Sequence, residues 1–233
     1  MPKKISKRLK KALELLEAGK SYSIAEAAEL LGKFPKAKFD ESVEIAFRMT
    51  IDPRKTDQMI RGTVRLPHGS GKEVKVLVFA KEGEAADAAK EAGAEYVGFD
   101  EYIEKVTSGW TDFDVAVATP EAMTEVRKLG RVLGPRGLMP NPKTGTVTEK
   151  VGEAINNAKS GQVRFRTDKS GILHGCIGKV SFSSSQIQEN AAAMLEEVKK
   201  LKPASAKGSY IRSVALSSTM GPGVKVTPAS LVV

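Results

Sequence analysis

The sequence predicts a mixed fold, α/β and α+β: a discontinuous two-layer α+β sandwich domain with an inserted doubly wound α/β domain. Three observations predict it. Hydrophobicity alternates every second residue near both ends, short apolar runs alternate with helical patterns in the middle, and charge divides along the same lines. Residues 1–67 carry 15 Lys/Arg and 9 Asp/Glu, residues 68–158 carry 11 and 15, and residues 159–233 carry 11 and 4. The two ends are strongly basic and the middle is weakly acidic, within a chain whose net charge is +9. Charge serving solubility alone would not be sorted in this way, so the ends read as a surface for a polyanion.

The N-terminal end opens on a helical pattern, Leu9, Leu13 and Leu16, followed by a second helix announced by Ser23 and Glu26 at capping-box spacing. From Val43 the apolar residues Val43, Ile45, Phe47, Met49 and Ile51 alternate with Ser42, Glu44, Arg48 and Thr50, the period of a strand with one buried face. In the middle, strands over 74–80, 96–99 and 115–118 alternate with helices over 84–92 and 100–107, which implies parallel pairing. Pro120 opens a further helix that ends near Gly134. Beyond Gly161 come strands over 163–167 and 176–182, then a long helix capped by Ser185 and Gln188. Its stripe is Ile187, Ala191, Met194, Leu195, Val198 and Leu201, with Pro203 preventing continuation. A last strand runs over 210–219.

Neither end segment alone buries much, because chains of about 70 residues are marginal. Joined, 1–67 and 159–233 make an ordinary domain with helices on one face of a mainly antiparallel sheet, the other face or an edge being free. Residues 68–158 form the insert, on two chain crossings near Pro67 and Ser160 that allow a hinge. No stretch approaches the roughly 20 apolar residues that span a bilayer, and the Lys-rich start lacks the apolar segment of a secretory signal. A soluble, intracellular protein with no membrane association is expected. Cys176 is the only cysteine, so no intramolecular disulfide is expected, and no Cys/His cluster suggests zinc.

Chemical motifs are few. His68-Gly69-Ser70-Gly71-Lys72 resembles a phosphate loop, but Leu66 stands where the leading Gly belongs and Glu73 where Ser or Thr belongs, and the segment precedes a strand. His174 and Cys176 share a face in an extended segment, and Asp112 and Asp114 flank Phe113; neither pair makes a catalytic site. No catalytic residue, metal or cofactor is expected. The Gly134–Gly145 segment is too rich in Pro and Gly for helix or strand. It is a shaped loop, either a rigid connector or one that adds phosphate contacts from Arg136 and Lys143. Two further stretches look most like a nucleic-acid surface. One is Phe165 to Gly171 with His174 beyond, which offers a ring for stacking and cations for phosphates. The other is Ser217 to Gly223, where hydroxyls and bare backbone suit ribose 2′-OH groups. Each could equally be a hairpin turn alone.

Taken in order, Ala37-Lys38-Phe39-Asp40-Glu41-Ser42-Val43-Glu44, Ile51-Asp52-Pro53-Arg54, Arg61-Gly62-Thr63-Val64-Arg65-Leu66-Pro67-His68-Gly69 and, above all, Leu129 to Pro140 resemble the bacterial family of large-subunit ribosomal L-one proteins. That family forms the mobile stalk beside the tRNA exit site, and the resemblance spans nearly the whole chain. It implies a structural, non-enzymatic constituent of the cytoplasmic ribosome that binds the stalk region of large-subunit rRNA, assists movement and release of deacylated exit-site tRNA, and represses translation of its own operon mRNA. It also implies a monomer off the ribosome. By matching motifs, RNA contacts are expected at Lys38, Phe39, Ser42 and Glu44, at Phe165, Arg166, Asp168, Lys169, Gly171 and His174, and at Ser217, Thr219, Met220 and Gly221. Ser217 and Gly223 fall where relatives vary. The alternatives from other classes are a nucleotide- or phosphate-acting enzyme using the middle domain, and a duplex binder acting by charge alone.

Overall fold

The computed structural model describes residues 5–17, 19–81, 83–203, 206 and 208–228, with the backbone alone for Thr56 and Lys143. The chain divides into two compact units, residues 1–71 with 163–233 and residues 72–162. The crossings thus fall at 71/72 and 162/163, where the sequence reading put them at 67/68 and 158/159. The first unit carries 25 Lys/Arg against 13 Asp/Glu and the second 12 against 15.

Unit 1 contains helices α1 (Lys7–Glu14) and α2 (Ile24–Lys33) and strands β1 (Ser42–Met49) and β2 (Arg61–Arg65). In unit 2 follow β3 (Val76–Phe79), α3 (Glu84–Glu91), β4 (Tyr96–Gly98), α4 (Asp100–Thr107), β5 (Val115–Ala118), α5 (Met123–Val126), α6 (Gly130–Leu133) and α7 (Val151–Lys159). Unit 1 resumes with β6 (Gln162–Thr167), β7 (Ile172–Lys179), α8 (Ser184–Lys200), β8 (Ile211–Ser218) and β9 (Val224–Val226).

The sheet of unit 1 has the order β2-β6-β7-β1-β8-β9, with β1 antiparallel to both β7 and β8. The alternation of β1 is realised: Val43, Ile45, Phe47 and Met49 are buried, whereas Glu44 and Arg48 are exposed. The buried side packs on α2 and α8, through Ile24 and Leu31 of the first and Ile187, Ala191, Met194, Leu195 and Val198 of the second. The capping box of Ser23 and Glu26 forms as expected, each satisfying the other's backbone N–H. On α8 the box is Ser183 with Gln186, not Ser185 with Gln188, because the serine run offers three candidates and the helix starts at the earliest. Leu201 lies past the end of that helix and is 39% exposed, and on α1 the residue that reaches the core is Ala12, with Leu13 outside.

Unit 2 is a three-stranded parallel sheet, β4-β3-β5. Val76 and Val78 pack with Ala86, Ala89, Ala154 and Ile155 of α3 and α7, while Leu77 and Phe79 pack on the opposite face with Val106, Val126 and Leu133. Helices on both faces give the doubly wound arrangement. The helix expected from Pro120 to Gly134 is broken into α5, a 3-10 turn at Arg127–Leu129, and α6.

Candidate nucleic-acid interface

Strand β1 lies in the interior of the sheet, and the register fixes what lies beside it on the uncovered face. Arg166 of β6 is opposite His174 of β7, His174 opposite Ala46 of β1, Ala46 opposite Ala215 of β8, and Ala215 opposite Lys225 of β9. One row across five strands therefore has the small residues Ala46 and Ala215 inside it, the His174 imidazole beside them, and the cations Arg166 and Lys225 at its edges. The neighbouring row on one side is Cys176, Glu44 and Ser217; on the other it is Ile172, Arg48 and Ser213. The Cys176 thiol donates to the Gly178 carbonyl at 3.6 Å, the behaviour of a packed residue.

The expected contact residues gather at the two ends of β1. Six residue steps along the strand, about 20 Å, carry the chain from Ser42 to Arg48. At the Arg48 end, β6 and β7 are joined by a turn that Asp168 builds: its Oδ1 accepts from the amides of Ser170 and Ile172, both at 2.8 Å. The Ile172 amide, with Ser170, His174 and Gly171, holds the Asp168 carboxyl below its ordinary value against a push from burial. Gly171 has φ +74°, and a Cβ there would stand 3.3 Å from the Ile51 carbonyl oxygen, so the turn requires glycine. Asp168 and Gly171 thus shape the turn that presents the exposed Lys169.

At the Ser42 end, the loop before β1 meets the loop after β8. The Ser42 N–H donates to Thr219 Oγ1 at 2.9 Å, the Thr219 N–H donates to the Ser42 carbonyl at 3.0 Å, and Lys179 Nζ donates to Ser42 Oγ at 3.2 Å. Beneath these contacts lies a residue absent from the expected set. Glu41 is buried at 6% exposure. Its Oε1 accepts from the Ala37 N–H at 3.0 Å and from Arg8 Nη1 at 3.4 Å, and its Oε2 accepts from Ser218 Oγ at 2.8 Å and from the Met220 N–H at 3.0 Å. Burial pushes this carboxyl up, but the Ser218, Met220 and Ala37 hydrogen bonds with the Arg8 guanidinium outweigh it and hold it below the usual carboxylate range. Arg8 Nη2 also donates to the Met220 carbonyl at 3.2 Å. One carboxylate therefore joins α1, the 37–40 loop and the 218–221 loop, and leaves Phe39 and Met220 outside at 55% and 52% exposure.

One expected contact is corrected. Phe165 is buried at 4% exposure on the helix-covered side of β6, its ring against the position where a Gly62 Cβ would stand, and so offers no stacking platform. Its alternation with the exposed Arg166 carries that signal in the sequence. Gly221 is needed for a spatial reason, since a Cβ there would lie 2.5 Å from Ser218 Oγ, already committed to Glu41. Lys38, Glu44, Arg166, Lys169, His174 and Thr219 are exposed, and Ser42 and Ser217 are half-buried.

The competing motifs have internal roles. Asn190, fully buried on α8, accepts from the His68 N–H at 3.0 Å and donates to the Gly69 and Ile177 carbonyls, so the His68–Gly71 segment is fastened to unit 1. Asp112 pairs with Lys75, and Asp114 with Lys72 and the Lys75 amide. Arg136 donates to Thr111, and the Lys143 side chain lies outside the described residues. Among the described residues no cluster of His, Cys, Asp or Glu could hold a metal ion.

Residues 31–222 match the model of the family described as Ribosomal protein L1p/L10e family. Similar proteins include the Large ribosomal subunit protein uL1 of Bacteroides thetaiotaomicron, 55% identical over 228 residues covering 98% of each chain. The protein of the same name from Alcanivorax borkumensis is 54% identical over 229 residues, covering 98% of this chain and 99% of that one. That of Protochlamydia amoebophila is 53% identical over 221 residues, covering 95% and 93%. With a family match over most of its length and relatives more than half identical from end to end, the chain belongs to the ribosomal protein L1p/L10e family.

Proposed function

We propose that the chain binds the stalk region of large-subunit ribosomal RNA through unit 1, as a structural, non-enzymatic protein of the large subunit in the cytoplasmic ribosome. The observation that carries the RNA reading is the uncovered face of a unit with 25 basic and 13 acidic residues, bordered at both ends of β1 by exposed cations and hydroxyls. Lys38, Arg166 and Lys169 supply phosphate contacts. Thr219, Ser42, Ser217, His174, Glu44 and the backbone around Met220 and Gly221 supply hydrogen bonds, with Phe39 and Met220 as apolar contacts. Contact with exit-site tRNA and repression of the chain's own operon mRNA belong to the same reading: one rRNA-shaped surface serves any RNA that presents that shape.

The test is competition binding of the purified chain to stalk RNA and to an unrelated duplex of equal length, across a salt series. Preference for stalk RNA that survives increasing salt is the expected result. Equal affinities that fall together with salt mean charge alone, and the stalk reading is then wrong.

A further inference from the structure

Beside the loop that leads into β1 is a cavity of about 460 Å³, bordered by Lys36, Lys38, Phe39, Asp40 and Ser181. Of the seven aromatic residues in unit 1, Phe39 alone is exposed; Tyr22, Phe34, Phe47, Phe165 and Tyr210 are buried and Phe182 is half-buried. Leaving a ring at 55% exposure beside a cavity forfeits burial that the other rings of unit 1 obtain in full or, for Phe182, in part. Asp40 borders the same cavity. It is exposed, its Oδ2 accepts from Ser181 Oγ at 2.8 Å, and Oδ1 has no partner among the described residues. A carboxylate repels phosphate and only accepts hydrogen bonds, so within an RNA surface its use is toward a donor N–H on a base edge.

We infer that this cavity receives one unstacked nucleobase bearing an amino group, with Phe39 as its stacking platform, Asp40 accepting its N–H, and Lys36 and Lys38 meeting the flanking phosphates. The inference rests on the RNA-binding reading above and adds base recognition to it. Unpaired bases are recognised in this way, by stacking on an aromatic ring and hydrogen bonding at the exposed edge.

The experiment measures binding of the full chain to stalk RNA made abasic at each unpaired nucleotide in turn, for the natural protein and for Phe39→Leu and Asp40→Asn, each first checked for an unchanged thermal melt. One abasic position is expected to weaken the natural protein by about 5- to 150-fold and to leave Phe39→Leu, already weakened, without further loss. At that position the deamino analogue of the base should weaken the natural protein and leave Asp40→Asn indifferent. If the natural protein prefers stalk RNA yet the abasic and Phe39→Leu losses add independently at every position, the cavity holds no base and this inference fails alone. If the natural protein shows no preference for stalk RNA, the RNA reading fails first.

Discussion

Replacing Glu41 by Gln tests how the interface is held together, because the two side chains share a shape and differ in what they accept. The carboxylate oxygens receive four donors: Ala37 N–H and Arg8 at one, Ser218 O–H and Met220 N–H at the other. Gln has one oxygen. Whichever way its amide is turned, the NH₂ faces a backbone N–H, donor against donor. An N–H left dry and unpaired costs about 1–3 kcal/mol. Loss of the ion pair adds about 0.5–1 kcal/mol, a discounted figure because the Arg8 side chain is 28% exposed. A total of about 1.5–4 kcal/mol corresponds to a fall of about 3–16 °C in Tm for a chain of this size. The pH dependence has a definite sign. The carboxyl is held below its ordinary value in the folded state, so its stabilisation is complete above the unfolded pKa, about 4.3, and is lost as pH falls through the folded value. Calorimetry at pH 7 and at pH 3.5 should show the full gap between natural protein and variant at the first and a smaller gap at the second. A gap under 1 °C at pH 7, or one that is the same at both pH values, would refute the assignment of Glu41 as the carboxylate that ties the three segments.

Other variants separate shaping roles from contact roles. Gly171→Ala places a Cβ at positive φ beside the Ile51 carbonyl and should destabilise by about 1–2 kcal/mol in urea unfolding, with weaker RNA binding only as far as the turn is displaced. Thr219→Val removes the acceptor of the Ser42 N–H at an exposed sheet end; about 0.5–1.5 kcal/mol of stability should go with it, and RNA affinity should fall by more than that loss of stability explains. Lys169→Ala should leave the melt unchanged and flatten the salt dependence of binding by up to about one unit of slope; an unaltered slope removes Lys169 from the phosphate contacts. Asn190→Ala leaves the His68 N–H and the Gly69 and Ile177 carbonyls without their partner and should cost about 2–4 kcal/mol, measured by denaturant unfolding.

What could be read from the sequence was what local pattern determines. The period of β1, the cap at Ser23 and the parallel strands of the insert follow from neighbours within a few residues, and the basic ends and acidic middle follow from composition. Other elements escaped: β2 (RGTVR) and β9 (VKV) lack the apolar run that marked the strands of the insert, and α7 has a short apolar stripe among Asn and Ala. Glu41 could not be found from sequence at all. Its donors Ser218 and Met220 lie 177 and 179 residues away, and only pairing of β1 with β8 brings them together. Phe165 was misassigned for the opposite reason, since it was weighed with the cations beside it and not with the phase of its own strand. Thr219 is both a candidate contact and a closure of the sheet, and chain order cannot distinguish those roles.

Amine-reactive footprinting of the full chain, free and bound to stalk RNA, tests the location of the interface most directly. Lys36, Lys38, Lys169 and Lys225 are all exposed in unit 1, while Lys81 and Lys90 are exposed beside the crevice at the strand ends of unit 2. RNA is expected to shield the first four, Lys38 and Lys169 most strongly, and to leave Lys81 and Lys90 as reactive as in the free protein. Shielding of Lys81 and Lys90 with Lys38 and Lys169 unchanged would contradict an RNA interface on unit 1.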